Sequence, residues 1–266
     1  MSLAKPDLNR KAKLEAFDRL LTIMDELREN CPWDKKQTME SLRHLTIEET
    51  YELGEAILEQ DMEEIKKELG DLMLHMAFYC RIGSETNDFD MADVLNQVCD
   101  KLIRRHPHVY GDVDASDEKA VKENWEKIKL KEKAGTTVLA GVPKSLPAMV
   151  KAMRIQEKAK GVGFDWDDKE QVWEKVQEEL NEFKAASDKE ASIEEFGDLM
   201  FSLINYSRFI DINAEEALER TNSKFIKRFT LMEKMVKDEG KELTNMSLQE
   251  MDDFWNKAKR MSGKDA

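Results

Sequence analysis

Two acidic signatures, spelled out twice in the same order, limit what this chain can become more than any other feature. Glu48-Glu49-Thr50-Tyr51-Glu52 is followed by Glu68-Leu69-Gly70-Asp71, and Glu178-Glu179-Leu180-Asn181-Glu182 by Glu195-Phe196-Gly197-Asp198. On a helix, Glu49 and Glu52 stand at i and i+3 and Glu48 and Glu52 at i and i+4, so the acids share one broad face. Glu68 and Asp71 do the same one helix later. If the two helices are antiparallel, four or five carboxylates converge, and no basic residue in the motif neutralises them. Such a cluster repels itself unless a cation sits in it, so the spacing predicts a divalent-metal site built twice.

A solvated acidic face is the plainer explanation of any single half. With 56 Asp and Glu in 266 residues, a bare three-acid pattern arises by chance about 2 or 3 times. Chance does not explain the whole pair recurring in order, each time with Gly-Asp closing the second half and an apolar run after it. Glycine costs roughly 1 kcal/mol in a helix interior relative to alanine, so its reuse at Gly70 and Gly197 predicts close backbone approach to something.

The surrounding sequence predicts an all-α fold. Gly (11) and Pro (5) are scarce, 37% of residues are charged, and apolar residues recur at three and four spacings. The first helix runs from Leu14 to Leu27 and ends at Cys31-Pro32-Trp33-Asp34. An acidic helix follows from about Met39 to Glu59, and Asp61 with Glu64 reads as a capping box opening the next. Asp90 with Asp93 starts a fourth helix to Arg105, broken by His106-Pro107-His108, and a further helix over residues 117–133 carries Trp125. Residues 135–146 are the most loop-like interior stretch and read as a linker between modules at 1–134 and 147–266.

The plan then repeats: a helix from Pro147 to Lys160, the turn Gly161-Val162-Gly163-Phe164-Asp165-Trp166-Asp167, the second acidic helix, a helix opened by Ser192, a long helix from Ala214 to Lys237, and a last one capped by Ser247 with Glu250. Trp33 maps to Trp166 at 133 residues, Glu48 to Glu178 at 130, Asp71 to Asp198 at 127, Lys101 and Arg105 to Lys224 and Arg228 at 123, and Trp125 to Trp255 at 130. Conserved order with drifting spacing is what two tandem copies of one helical module leave behind.

Each copy also carries a Lys/Arg pair at i and i+4, Lys101 with Arg105 and Lys224 with Arg228, suited to the oxygens of a polyphosphate. Trp125 and Trp255 either stack on a base or fill a core. Acids for a metal, cations for phosphate and a nearby aromatic make a nucleotide the natural ligand. The formal charge of −14 disfavours duplex nucleic acid and anionic membranes. No signal-type segment or membrane-length apolar run stands out, and Cys31, Cys80 and Cys99 lack metal-ligand spacing, so the chain reads as cytoplasmic with reduced thiols.

These motifs together, with Arg104-Arg105-His106-Pro107-His108-Val109 and the run Lys224-Phe225-Ile226-Lys227-Arg228-Phe229, resemble the MazG family of tandem-repeat nucleoside triphosphate pyrophosphohydrolases from about Leu14 to Lys259. The resemblance implies an all-α homodimer that uses Mg²⁺, with Mn²⁺ as the alternative all-oxygen-site ion, to cleave NTPs and dNTPs of broad base specificity into NMP and pyrophosphate, in nucleotide-pool control or a stress response. It implies that Glu179, Glu182, Glu195 and Asp198 are metal ligands, that Glu178 orients or deprotonates water, and that Lys175, Lys224, Arg228 and Trp255 contact the nucleotide. In the family the second copy tends to be the active one; here the first keeps the same set in Glu49, Glu52, Glu68, Asp71, Lys101, Arg105 and Trp125.

Two other readings compete. A di-iron bundle requires Glu-x-x-His on two helices, yet His44, His75, His106 and His108 lie outside that spacing and the second copy has no histidine. A non-catalytic helical scaffold or regulatory nucleotide-binding protein explains the amphipathic helices but not Gly-Asp and Lys/Arg recurring in step.

Overall fold

The structure, a computed structural model, describes residues 9–111, 121, 124–125, 128, 132 and 137–262. Every regular element among them is helical, and the chain divides into two compact units, residues 1–125 and 126–266. The all-α expectation holds. Most of the helix expected over residues 117–133, and residues 135–136 at the start of the expected linker, lie outside the described residues. The rest of that linker forms a short 3-10 turn, Val138–Gly141, and the bends that lead into the next helix.

In the first unit, α1 (Arg10–Asn30) ends where Cys31-Pro32 turns the chain into a 3-10 turn at Asp34–Lys36. Then come α2 (Met39–Glu59), α3 (Met62–Glu85), α4 (Met91–Arg105) and the single turn α5 (Pro107–Tyr110). Thr38 and Ser41 cap α2 reciprocally, as Asp90 and Asp93 cap α4. Only Gln60 and Asp61 separate α2 from α3, and Gln60 takes a left-handed φ of 58°. So short a turn folds the two acidic helices back on each other. Asp61 caps α3 by accepting from the backbone N–H groups of Glu63 and Glu64. The reciprocal half of the expected box is a different bond: Glu64 pairs with Lys67 at 3.2 Å, a charged partner one turn ahead. Met24, Leu42 and Phe78 close the core among α1, α2 and α3.

In the second unit, α6 (Ala148–Lys160), α7 (Lys169–Ala185), α8 (Lys189–Phe209), α9 (Ala214–Asp238) and α10 (Leu248–Ser262) repeat the order. The expected opening of α8 at Ser192 is corrected. Asp188 is the cap, accepting from the Ala191 N–H, while the Ser192 hydroxyl sits inside the first turn and donates to the Asp188 carbonyl. A carboxylate is the stronger acceptor for the exposed amides of a helix start. The Ser247–Glu250 pair caps α10 in both directions, as expected. Met232, Val236, Phe254 and Ala258 form the core between α9 and α10.

Candidate metal and nucleotide site

The helical register of α2 and α3 brings Glu49, Glu52 and Glu68 together, each offering an oxygen within 4.8 Å of the others; Glu179, Glu182 and Glu195 do the same on α7 and α8. Asp71 and Asp198 stand close enough for their charges to act on Glu49 and Glu195. Glu68 is 2% exposed and Glu179 is buried, an unusual place for carboxylates. One oxygen of Glu68, Oε2, is buried without a hydrogen-bond partner. Glu48 and Glu178 lie at the exposed edges of their clusters.

Electrostatics record the crowding. Burial first, then the hydrogen bond with Glu68 and the charges of Asp71, Glu52 and Glu68, push the Glu49 carboxyl up to about 7. Burial again, followed by the charges of Glu182, Glu179, Asp198 and Glu194, raises Glu195. Three converging acids with Asp71 beside them, an orphaned buried oxygen on Glu68 and an all-oxygen donor set fit a hard divalent cation such as Mg²⁺ or Mn²⁺.

The expectation that no base neutralises the cluster is overturned. Lys67 Nζ lies 2.8 Å from Glu68 Oε1, holding that carboxyl below the usual range, and Lys175 Nζ lies 2.8 Å from both Glu178 and Glu179. Long flexible stems carry each ammonium back onto its own helix. The two lysines are not counterparts: Lys67 stands on the Glu-x-x-Asp helix, Lys175 on the helix of the paired glutamates.

The glycine expectation is also corrected. A Cβ at Gly70 or Gly197 would meet nothing within 4 Å, and both positions are exposed. Within its own unit neither glycine makes a close approach, because each faces outward from its helix pair.

The basic pairs form a different assembly. Arg105 lies over the Trp125 ring at 5.7 Å, and His106 meets the same ring edge-on at 4.8 Å. Arg228 Nε donates to Ser262 Oγ at 3.1 Å, Phe225 packs on Trp255 at 5.0 Å, and Trp255 leans on the α9–α10 core. Lys224 is exposed and Lys101 half-buried. Among the described residues, the cations that pair with the clusters are Lys67 and Lys175.

Similarity to known proteins bears on this geometry. The chain is 44% identical over 247 residues to a protein of Thermotoga maritima named nucleoside triphosphate pyrophosphohydrolase/pyrophosphatase MazG, covering 91% of this chain and 95% of that one. This chain belongs to the MazG family. A nucleoside triphosphate pyrophosphohydrolase of Escherichia coli K12 is 40% identical over 258 residues, covering 93% and 98% of the two chains. The MazG nucleotide pyrophosphohydrolase domain itself matches residues 37–110, the stretch from before α2 to the end of α5. A crystal structure of a mazG-related protein from Thermotoga maritima aligns at a TM-score of 0.38 with 26% identity, covering 42% of this chain and 97% of that one. MazG membership accounts for an acidic helix hairpin in each unit. The lysine contacts to the buried glutamates went unforeseen, although Lys67 beside Glu68 and Lys175 one turn before Glu179 stand in the sequence.

Proposed function

We propose that the protein hydrolyses nucleoside triphosphates between the α and β phosphates, giving a nucleoside monophosphate and pyrophosphate with broad base tolerance, in nucleotide-pool control or a stress response. The observation that carries this reading is the converging carboxylate trio on paired helices, with its oxygens within 4.8 Å, in a chain of the MazG family. Glu179, Glu182, Glu195 and Asp198 would hold a divalent ion in the second unit, and Glu49, Glu52, Glu68 and Asp71 in the first. When bound, Mg²⁺ or Mn²⁺ neutralises the triphosphate and polarises a phosphoryl oxygen. Glu178, exposed beside the cluster, orients or deprotonates the attacking water. Lys175 exchanges its carboxylate contacts for a phosphate, and Lys224 and Arg228 hold the phosphate tail and the leaving pyrophosphate.

The two modules, joined near residues 135–146, divide the work in this reading: the second catalyses, while the first, with Lys101, Arg105 and Trp125, is structural or regulatory. Subunits pair as homodimers in the cytoplasm in this reading; among the described residues no helix is long and apolar enough to cross a membrane. The charge of −14 disfavours duplex nucleic acid as a partner.

Pyrophosphate release from a panel of NTPs and dNTPs with Mg²⁺ tests the assignment. Glu179→Gln should lower the rate by about a hundredfold or more, the upper end of what even indirect metal-site changes cost, and Glu49→Gln should leave most of it. Loss in Glu49→Gln alone would move the chemistry to the first unit. A parent chain that releases no pyrophosphate from any nucleotide would sink the reading.

A further inference from the structure

The two carboxylate clusters meet different charges at corresponding places. By the register of the Gly-Asp motifs, Lys67 in the first unit stands where Glu194 stands in the second; by that of the paired glutamates, Leu45 stands where Lys175 does. Lys175 lies on α7 with Nζ 2.8 Å from both Glu178 and Glu179. Leu45, its counterpart on α2, packs against the apolar core of the first unit. The ammonium on the first cluster comes instead from α3, and its charge is opposite to the one that Glu194 brings to Glu195.

Glu68 is 2% exposed, and its two oxygens are differently placed. Oε1 accepts from Lys67 Nζ at 2.8 Å, while Oε2 is buried without a hydrogen-bond partner, in a trio whose oxygens lie within 4.8 Å of one another. A buried carboxylate needs a compensating charge, and in the first unit the chain itself supplies one. Glu64, at 3.2 Å, holds the same ammonium from the preceding turn. The Lys67 side chain is 59% exposed, so its head can swing into water on a flexible stem once another cation compensates Glu68. Lys66 provides the contrast: it pairs with Glu63, which is exposed and stands outside the trio.

We infer that Lys67 is a built-in counter-ion of the first cluster, competing with a divalent ion for Glu68 and setting that site's affinity below what its carboxylates alone would give. The inference rests on the proposed hydrolase reading for the ion and goes beyond it in naming the residue that tunes the ion's affinity in the first unit. Two cations on one buried carboxylate repel each other strongly where water screens them poorly. An ion entering the trio therefore either drives the Lys67 head into solvent or binds against its charge, and its affinity falls in both cases. In the second unit the corresponding place adds a negative charge beside Glu195, which attracts an ion. Lys175 compensates Glu179 there, but it also reaches Glu178 at the exposed edge of the cluster, where in the same reading a phosphate draws it away.

The test is titration of the full chain with Mn²⁺ alone, counting free ion by electron paramagnetic resonance. In a chain carrying Glu179→Gln, which weakens the second cluster, tight Mn²⁺ binding reports the first, and adding Glu68→Gln should abolish it. Lys67→Gln in that background should tighten Mn²⁺ about tenfold, the worth of one unit charge removed from beside a divalent ion near a protein surface. Lys67→Glu, which copies the second unit's charge, should tighten it further, while Lys67→Arg and Lys66→Gln should bind as the parent does. In EDTA, Lys67→Gln should also melt below the parent, and Mn²⁺ should recover the difference, which a merely structural lysine would not allow. Unchanged or weaker Mn²⁺ binding in Lys67→Gln, equal tightening by Lys66→Gln, or no binding at the first cluster in any variant would each overturn the inference. Tightening in a chain that releases no pyrophosphate would keep Lys67 as counter-ion and remove the hydrolase reading. Pyrophosphate release with Mn²⁺ binding indifferent to Lys67 would do the reverse.

Discussion

Glu49 shows how much a single side chain can report. Its carboxyl is pushed up to about 7 by burial, by its bond with Glu68 and by neighbouring acids, whereas an unfolded glutamate titrates near 4.3. The folded state thus holds the proton more tightly, and the stability this contributes is full below the unfolded value and lost as pH rises through the folded one. With EDTA present, the parent should lose stability relative to Glu49→Gln between pH 4.5 and pH 8, by about 1 kcal/mol after allowance for solvent, or roughly 2–4 °C in Tm. Mg²⁺ should restore more at pH 8 than at pH 5, because it competes with the proton for the same oxygens. Calorimetric melts across that range check it; a constant difference between parent and variant would count against a crowded, proton-holding cluster. The acids themselves were legible from spacing alone. Their lysine partners were not, since spacing gives a helical face but not where a four-carbon stem will fold, and Lys67 and Lys175 reach their clusters from non-equivalent helices.

Helices were legible where periodicity and caps agreed, as at Met39–Glu59, and misread where two residues could cap, as with Ser192 and Asp188. Gly70 and Gly197 raise a different question for their helices. Each lies mid-helix with open space around a would-be Cβ, so the fold of its own unit does not require glycine, which costs roughly 0.5–1 kcal/mol there relative to alanine. A contact from outside the unit, with substrate or a second copy of the chain, is the reason for glycine that these variants test. Gly70→Ala and Gly197→Ala should therefore each stabilise the protein by about 0.5–1 kcal/mol. Gly197→Ala should at the same time lower pyrophosphate release. Thermal unfolding and rate measured on the same preparation separate the two effects, and unchanged activity in the stabilised variant would make the glycine a relic of duplication.

At the scale of the whole molecule, the duplication was legible because motif order survives loop drift, but the divergence between copies was not. Lys67 and Glu194 look like ordinary exposed helix residues until the structure shows that one holds Glu68 and the charge of the other acts on Glu195. Assembly raises a similar problem. The charge of −14 opposes association of like chains at long range, yet Leu69, Met73 and Met76 on α3 are exposed, as are Ile193, Phe196 and Leu203 on α8. The first set is spaced by four and three residues and the second by three and seven, each along one helix face beside an open glycine, and exposed apolar stripes of this kind predict an interface. Short-range burial should win over screened repulsion at physiological salt, where the Debye length is about 8 Å. Sedimentation equilibrium should then give twice the chain mass, and Met73→Glu or Ile193→Glu, placing a charge in whichever stripe is covered, should return the single-chain mass while leaving the helical signal unchanged. A parent that sediments as one chain at every concentration would leave those stripes without a second copy to cover them, and the open glycines would then have to be explained by substrate alone.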